Sequence, residues 1–139
     1  MVDDVIYNKL AIIERCIERV REEYQGNPAN LENYTKQDSI ILNIQRACEA
    51  AIDLAMHVVA EKSLGILQNS RDAFEILEQH GFIDGQLAQK LKSAVGFRNI
   101  AVHNYQSINL GVVKQIIERN LEDFALFGQT ILAKVTIKV

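Results

Sequence analysis

The densest run of polar groups in the chain is Phe97-Arg98-Asn99-Ile100-Ala101-Val102-His103-Asn104-Tyr105. An arginine stays charged at every accessible pH, and its planar fork matches phosphate oxygens. A histidine titrates near neutrality and can give or take a proton. With no neighbouring Asp, Glu and His cluster to hold a metal, this combination suits metal-independent phosphodiester cleavage. The imidazole of His103 would take the ribose 2′-OH proton or protonate the leaving 5′-oxygen, while Arg98 stabilises charge on the pentacoordinate phosphorus.

Spacing constrains that chemistry. At about 100° per residue, Arg98 and His103 lie roughly 140° apart on an uninterrupted helix, whereas Asn99 and His103 share a face. The pair converges only if the helix breaks between them or a second subunit contributes, and two copies across a twofold axis could build one cleft. On residue types alone a purely structural role is the commoner one. A histidine near a helix C-terminus can serve the free carbonyls, and Arg98 can pair with Asp84 or Glu118.

The elements that must position these groups read as helices throughout. Ile6, Leu10, Ile13, Ile17, Val20 and Tyr24 recur at spacings of four and three, one stripe along a helix from Asp3 to Gln25 that Gly26, Asn27 and Pro28 end. Ile41, Ile44, Cys48, Ile52, Ala55 and Val59 repeat the stripe from about Asp38 to Glu61, with Ala47, Ala50, Ala51 and Ala60 suited to close helix approach. Residues 62–69 read as a loop. Ser70 is the expected cap of a short helix carrying Phe74 and Leu77, stopped by His80 and Gly81. Asp84 opens the helix that holds Leu87, Leu91, Ala94 and Val95 and continues towards Ile100. The last helix starts near Ser107 or Asn109 and uses Leu110, Val113, Ile116 or Ile117, Leu121, Phe124 and Phe127. Beyond Gly128 the β-branched residues Ile131, Val135, Ile137 and Val139 are expected to fray or to pair with a partner. No run alternates with period two, so the fold class is all-α, a four- to five-helix up-and-down bundle.

Composition bounds the rest. At 139 residues, 48% apolar and 24% charged, the chain suits one helical domain spanning residues 1–139 that needs no disulfide or structural metal. A net charge of −3 leaves any nucleic-acid contact to a local basic cluster. Lys90, Lys92 and Arg98, with Lys114 and Arg119, are one such track or simply scattered solvated cations. Cys16 and Cys48 fall in apolar patterns without zinc spacing and read as buried thiols. The acidic start Met-Val-Asp-Asp and the lack of an apolar run near the ~20 residues that span a bilayer point to a soluble cytoplasmic protein, with no membrane partner.

Gln45, Glu49, Asp53 and His57 follow each other by four and form one polar row on the second helix. The row either orients Arg98 or His103, with Asp53 as the supporting carboxylate, or is a solvated face with an Asp53–His57 pair. His57 and Glu61 alone make a poor metal site, and none is expected.

Arg98-x4-His103-x-Tyr105 resembles the Rx4HxY signature of the HepT toxins, in the HEPN superfamily of helical ribonucleases. The likeness extends to Ile44-Gln45-Arg46-Ala47-Cys48-Glu49-Ala50-Ala51-Ile52-Asp53-Leu54-Ala55-Met56-His57 and to Phe74-x-x-Leu77, in family order from about residue 40 onward. The resemblance implies a HEPN-like, homodimeric, metal-independent ribonuclease without a cofactor, the toxin of a type VII toxin–antitoxin pair acting on RNA. Its partner would be a small MNT-type nucleotidyltransferase antitoxin. By position, Arg98 and His103 would be the catalytic pair and Asn99 the polar residue beside the arginine. Tyr105 would be the tyrosine modified with AMP, which adds bulk and negative charge where RNA phosphate must enter. Asn104 stands where relatives often carry glycine, and asparagine also tolerates a left-handed turn. The alternative is a non-catalytic nucleotide- or substrate-binding subunit of a nucleotidyltransferase complex, using the same groups only to hold phosphate.

Overall fold

The structure, a computed structural model, describes residues 4–136. Helix α1 (Asp4–Tyr24) ends where Gln25 and Gly26 turn at positive φ, and a 3-10 turn (Pro28–Glu32) leads into α2 (Tyr34–Glu61). A loop then reaches α3 (Ser70–Gln79), followed by α4 (Gly85–His103) and a 3-10 turn (Tyr105–Ser107). Helix α5 (Leu110–Gln115) runs through a π-helical turn (Ile116–Asn120) into α6 (Leu121–Thr136), so the last three elements form one rod. The bundle therefore has five rods, and the described residues contain no strand.

Packing follows the apolar stripes. Every stripe residue read on α1 and α2 is buried, from Ile6 to Tyr24 and from Ile41 to Val59, and these two helices lie along one another. Ala47, Ala50 and Ala51 let the backbones approach, whereas Ala60 is exposed and takes no part. Phe74 of α3 meets Phe127 of α6 edge-on, with ring centroids 5.5 Å apart and planes at 73°. Fully burying a side chain of this kind contributes about 1.5–3 kcal/mol. That contact ties α3 to the last rod.

Several boundaries differ from the sequence reading. Helix α2 starts four residues before Asp38, because the side chain of Asn33 accepts from the Lys36 N–H and supplies the cap. Asn69, rather than Ser70, caps α3 by accepting from Asp72 N. Asp84 caps α4 as expected, accepting from Leu87 N at 2.8 Å. Leu110 is 37% exposed, so the inner stripe of the last rod begins at Val113. Ile117 is buried and Ile116 only partly so, and the wide π turn between them keeps Val113, Ile117 and Leu121, spaced four by four, on one face. The rod does not fray after Gly128: Ile131 is fully buried and the helix continues to Thr136, while Ile137 and Val139 lie outside the described residues.

Candidate active site

Helix α4 sets the site. Its C-terminal turn closes with Asn104 N–H donating to Ile100 carbonyl, and Asn104 has φ −151° and ψ 57°, so the left-handed conformation considered for it is not used. The helix is unbroken from Gly85 to His103, so Arg98 and His103 are carried on different sides, about 140° apart, and roughly 7.5 Å apart along the axis. Of the two routes to convergence, a helix break within one chain is thereby removed.

Arg98 is half-buried. Its Nε donates to Asn99 Oδ1 at 3.0 Å, and its Nη2 lies 3.5 Å from Ser70 Oγ at the start of α3. Both partners are neutral, so the guanidinium is held in place without losing its charge to a carboxylate. The ion pairs considered for it do not form: Asp84 caps its own helix, and Glu118 accepts from the buried Tyr24 hydroxyl. His103 is exposed and makes no hydrogen bond among the described residues, so it does not cap the helix carbonyls. Neither group points into packed core. Ile100 and Val102, between them in sequence, are 43% and 46% exposed.

Tyr105 sits just beyond, on the 3-10 turn, with its ring 41% exposed. Its hydroxyl donates to Asp38 Oδ1 on the first turns of α2. Partial burial, then the hydrogen bond to and the charge of Asp38, push the phenol up to about 12. Nothing in the sequence singles out Asp38, which stands at the expected start of a helix and belongs to no motif.

Other expected participants lie elsewhere. Asp53 forms an ion pair with Lys9 of α1 at 3.2 Å, more than half exposed, and the structure does not bring it to Arg98 or His103. Gln45 donates to Glu49 within the same row. Lys90 pairs with Asp123 at 3.7 Å and Lys92 with Glu75 at 2.5 Å, so the expected basic track is partly neutralised. A groove of about 750 Å³ lies instead between α1 and α2, lined by Lys9, Arg15, Arg19 and Arg46 together with the carboxylates of Asp38, Glu49 and Asp53. Arg15 and Arg19 fall one turn apart on the polar side of α1, but Arg46 joins them only through helix packing.

The cysteines are buried, and burial pushes both thiols up, Cys48 to about 12. At neutral pH they are protonated and poor nucleophiles. No group of three or more His, Cys, Asp or Glu side chains able to hold a metal exists among the described residues. No helix among them is long and apolar enough to cross a membrane.

An all-helical bundle that presents an arginine and a histidine five residues apart at one helix end, with a tyrosine two residues on, defines a class of helical nuclease. The chain belongs to the ribonuclease HepT-like family, whose model matches residues 13–131. It is 46% identical to the mRNA nuclease HepT of Shewanella oneidensis over 96% of this chain and all of that protein. It is 24% identical to the tRNA nuclease HepT of Aphanizomenon flos-aquae over 91% of this chain and 87% of that protein. Among solved structures, the tri-AMPylated Shewanella oneidensis HEPN toxin in complex with MNT antitoxin matches with a TM-score of 0.89 and 47% identity, covering 95% of this chain and 99% of that one.

Proposed function

We propose that this chain is a metal-independent endoribonuclease, the toxin half of a toxin–antitoxin pair, and that it acts as a homodimer in the cytoplasm. The observation that carries the reading is the placement of Arg98 and His103. In a member of a ribonuclease family, both reach solvent near the end of α4, one held on neutral partners and the other unengaged. Because α4 is unbroken, each Arg98 meets a His103 across a twofold axis, and the exposed Ile100 and Val102 are the apolar surface that the second copy covers.

In that cleft an RNA phosphate lies against the guanidinium. The imidazole facing that guanidinium takes the 2′-OH proton as the oxygen attacks phosphorus and gives it to the 5′-oxygen as the bond from phosphorus to that oxygen breaks, and a 2′,3′-cyclic phosphate remains. Asn99 holds Arg98 in register. Asp53, paired with Lys9, keeps a supporting role only if the second copy approaches that face.

An MNT-type nucleotidyltransferase controls the activity by adding AMP to Tyr105. Tyr105 lies two residues past His103, and a nucleotide there places negative charge beside the path of the RNA strand. The names from Shewanella oneidensis support this reading, an mRNA nuclease HepT and a tri-AMPylated HEPN toxin in complex with MNT antitoxin.

The test is cleavage of total cellular RNA by the purified chain in excess EDTA. Cleavage that persists in EDTA and drops about 100-fold or more in His103→Ala and in Arg98→Ala is the expected result. Phosphate or nucleotide binding with no cleavage by the unsubstituted chain would favour a non-catalytic binding subunit instead.

A further inference from the structure

The hydrogen bond from Tyr105 to Asp38 joins the expected modification site to a carboxylate from another helix, 67 residues away in sequence. We propose that Asp38 is the general base of that modification: the toxin itself supplies the group that takes the tyrosine proton when a nucleotidyltransferase transfers AMP to Tyr105. The proposal rests on Tyr105 being the residue modified.

The chemistry requires such a group. A phenol is a weak nucleophile while it keeps its proton, and a carboxylate hydrogen-bonded to a hydroxyl is the usual acceptor in phosphoryl transfer. Here the tyrosine Oη attacks the α-phosphorus of a nucleoside triphosphate. The Oη–P bond forms, the bond from that phosphorus to the bridging oxygen breaks, and pyrophosphate leaves with the electron pair. The proton passes from Oη to Asp38 Oδ1 and then to water. Asp38 is exposed, so it can release that proton, and Tyr105 is open enough for a triphosphate to approach.

The surroundings favour the same step. Asp38 lines the groove between α1 and α2 together with Arg15, Arg19 and Arg46, and with Glu49 and Asp53, the latter paired with Lys9. Arg19 is paired with Glu22, but neither Arg15 nor Arg46 is in an ion pair among the described residues. Sharing that groove with Asp38, their guanidinium groups offer positive charge on the Asp38 side of the transferred phosphodiester. At rest, burial and the nearby carboxylate keep Tyr105 protonated, so the proton must leave during the transfer itself.

The experiment follows label from α-³²P-ATP onto the full chain, incubated with magnesium and the MNT antitoxin of the Shewanella oneidensis relative. Wild type is compared with Asp38→Asn, Asp38→Ala, Asp38→Glu and Tyr105→Phe, and thermal melts check that each is folded. Asp38→Asn keeps a hydrogen-bond acceptor of the same shape but cannot take the proton. The expected result is labelling of wild type, none of Tyr105→Phe, and initial rates at least roughly 100-fold lower in both Asp38→Asn and Asp38→Ala at unchanged KM for ATP, with partial recovery in Asp38→Glu. Labelling of Asp38→Asn at the wild-type rate overturns the proposal, whether or not Asp38→Ala is slow, since it would leave Asp38 a positioning role at most. Labelling of Tyr105→Phe at the wild-type level, or no labelling of wild type, instead removes the premise that Tyr105 is the site, and the proposal falls with it.

Discussion

Arg98 and His103 share one unbroken helix yet face directions about 140° apart, so the proposed cleft draws its arginine and its histidine from two copies of the chain. Mixing variants tests this directly. Arg98→Ala and His103→Ala should each be inactive alone. Mixed in equal amounts and allowed to exchange subunits, they should recover about a quarter of wild-type activity, since half the dimers would carry one intact composite site. Ribonuclease assays before and after mixing read the outcome. No recovery despite demonstrated subunit exchange would place both groups of each site in the same chain.

Phe74→Ala should destabilise the chain by about 3–5 kcal/mol, because it removes a fully buried ring and its edge-on contact with Phe127. That is a large part of the 5–15 kcal/mol typical of a domain. A urea melt followed by circular dichroism would show the midpoint falling sharply. An unchanged midpoint would mean that α3 is not docked on α6 as described.

Stability should fall as pH rises from about 10 towards 12. Tyr24 and Tyr105 are both raised to about 12 in the folded chain, chiefly by burial and then by Glu118 and Asp38 respectively. The folded state therefore holds these protons where the unfolded state, titrating near 10, releases them. The stabilisation is complete below pH 10 and lost through 12. Phenolate absorbance of the native chain should show late-titrating tyrosines, with one late step removed in Tyr24→Phe and another in Tyr105→Phe. Ionisation of every tyrosine near pH 10 would contradict the two hydrogen bonds.

Neither thiol should react with Ellman's reagent in the native state, since Cys16 and Cys48 are 3% and 1% exposed and burial favours the neutral thiol. Both should react once the chain is unfolded in guanidinium. Fast labelling of the native chain would contradict the burial of the two thiols.

Local rules carried much of this description. The stripes from Ile6 to Tyr24 and from Ile41 to Val59, the stop at Gly26 and Pro28 and the cap at Asp84 are all found where periodicity and capping chemistry put them. The cap of α3 falls one residue before Ser70, because Asn69 and Ser70 are both good caps and only backbone direction separates them. The last rod continues past Gly128 against the local signal: β-branched residues such as Ile131 and Val135 disfavour a helix in isolation, and burial against the core outweighs that preference.

The sequence by itself determined an all-helical fold, the buried stripe of each helix, and the identity and spacing of Arg98, Asn99, His103 and Tyr105. All of these depend on neighbours within a few turns of one helix. Only the tertiary structure decided that α4 stays unbroken through His103, that Arg98 rests on Ser70, that Asp53 turns to Lys9, and that Tyr105 meets Asp38 across 67 residues. Those pairings depend on how far each helix rotates and slides as its apolar face packs. Many buried contacts set that rotation together, and no single period in the chain encodes it.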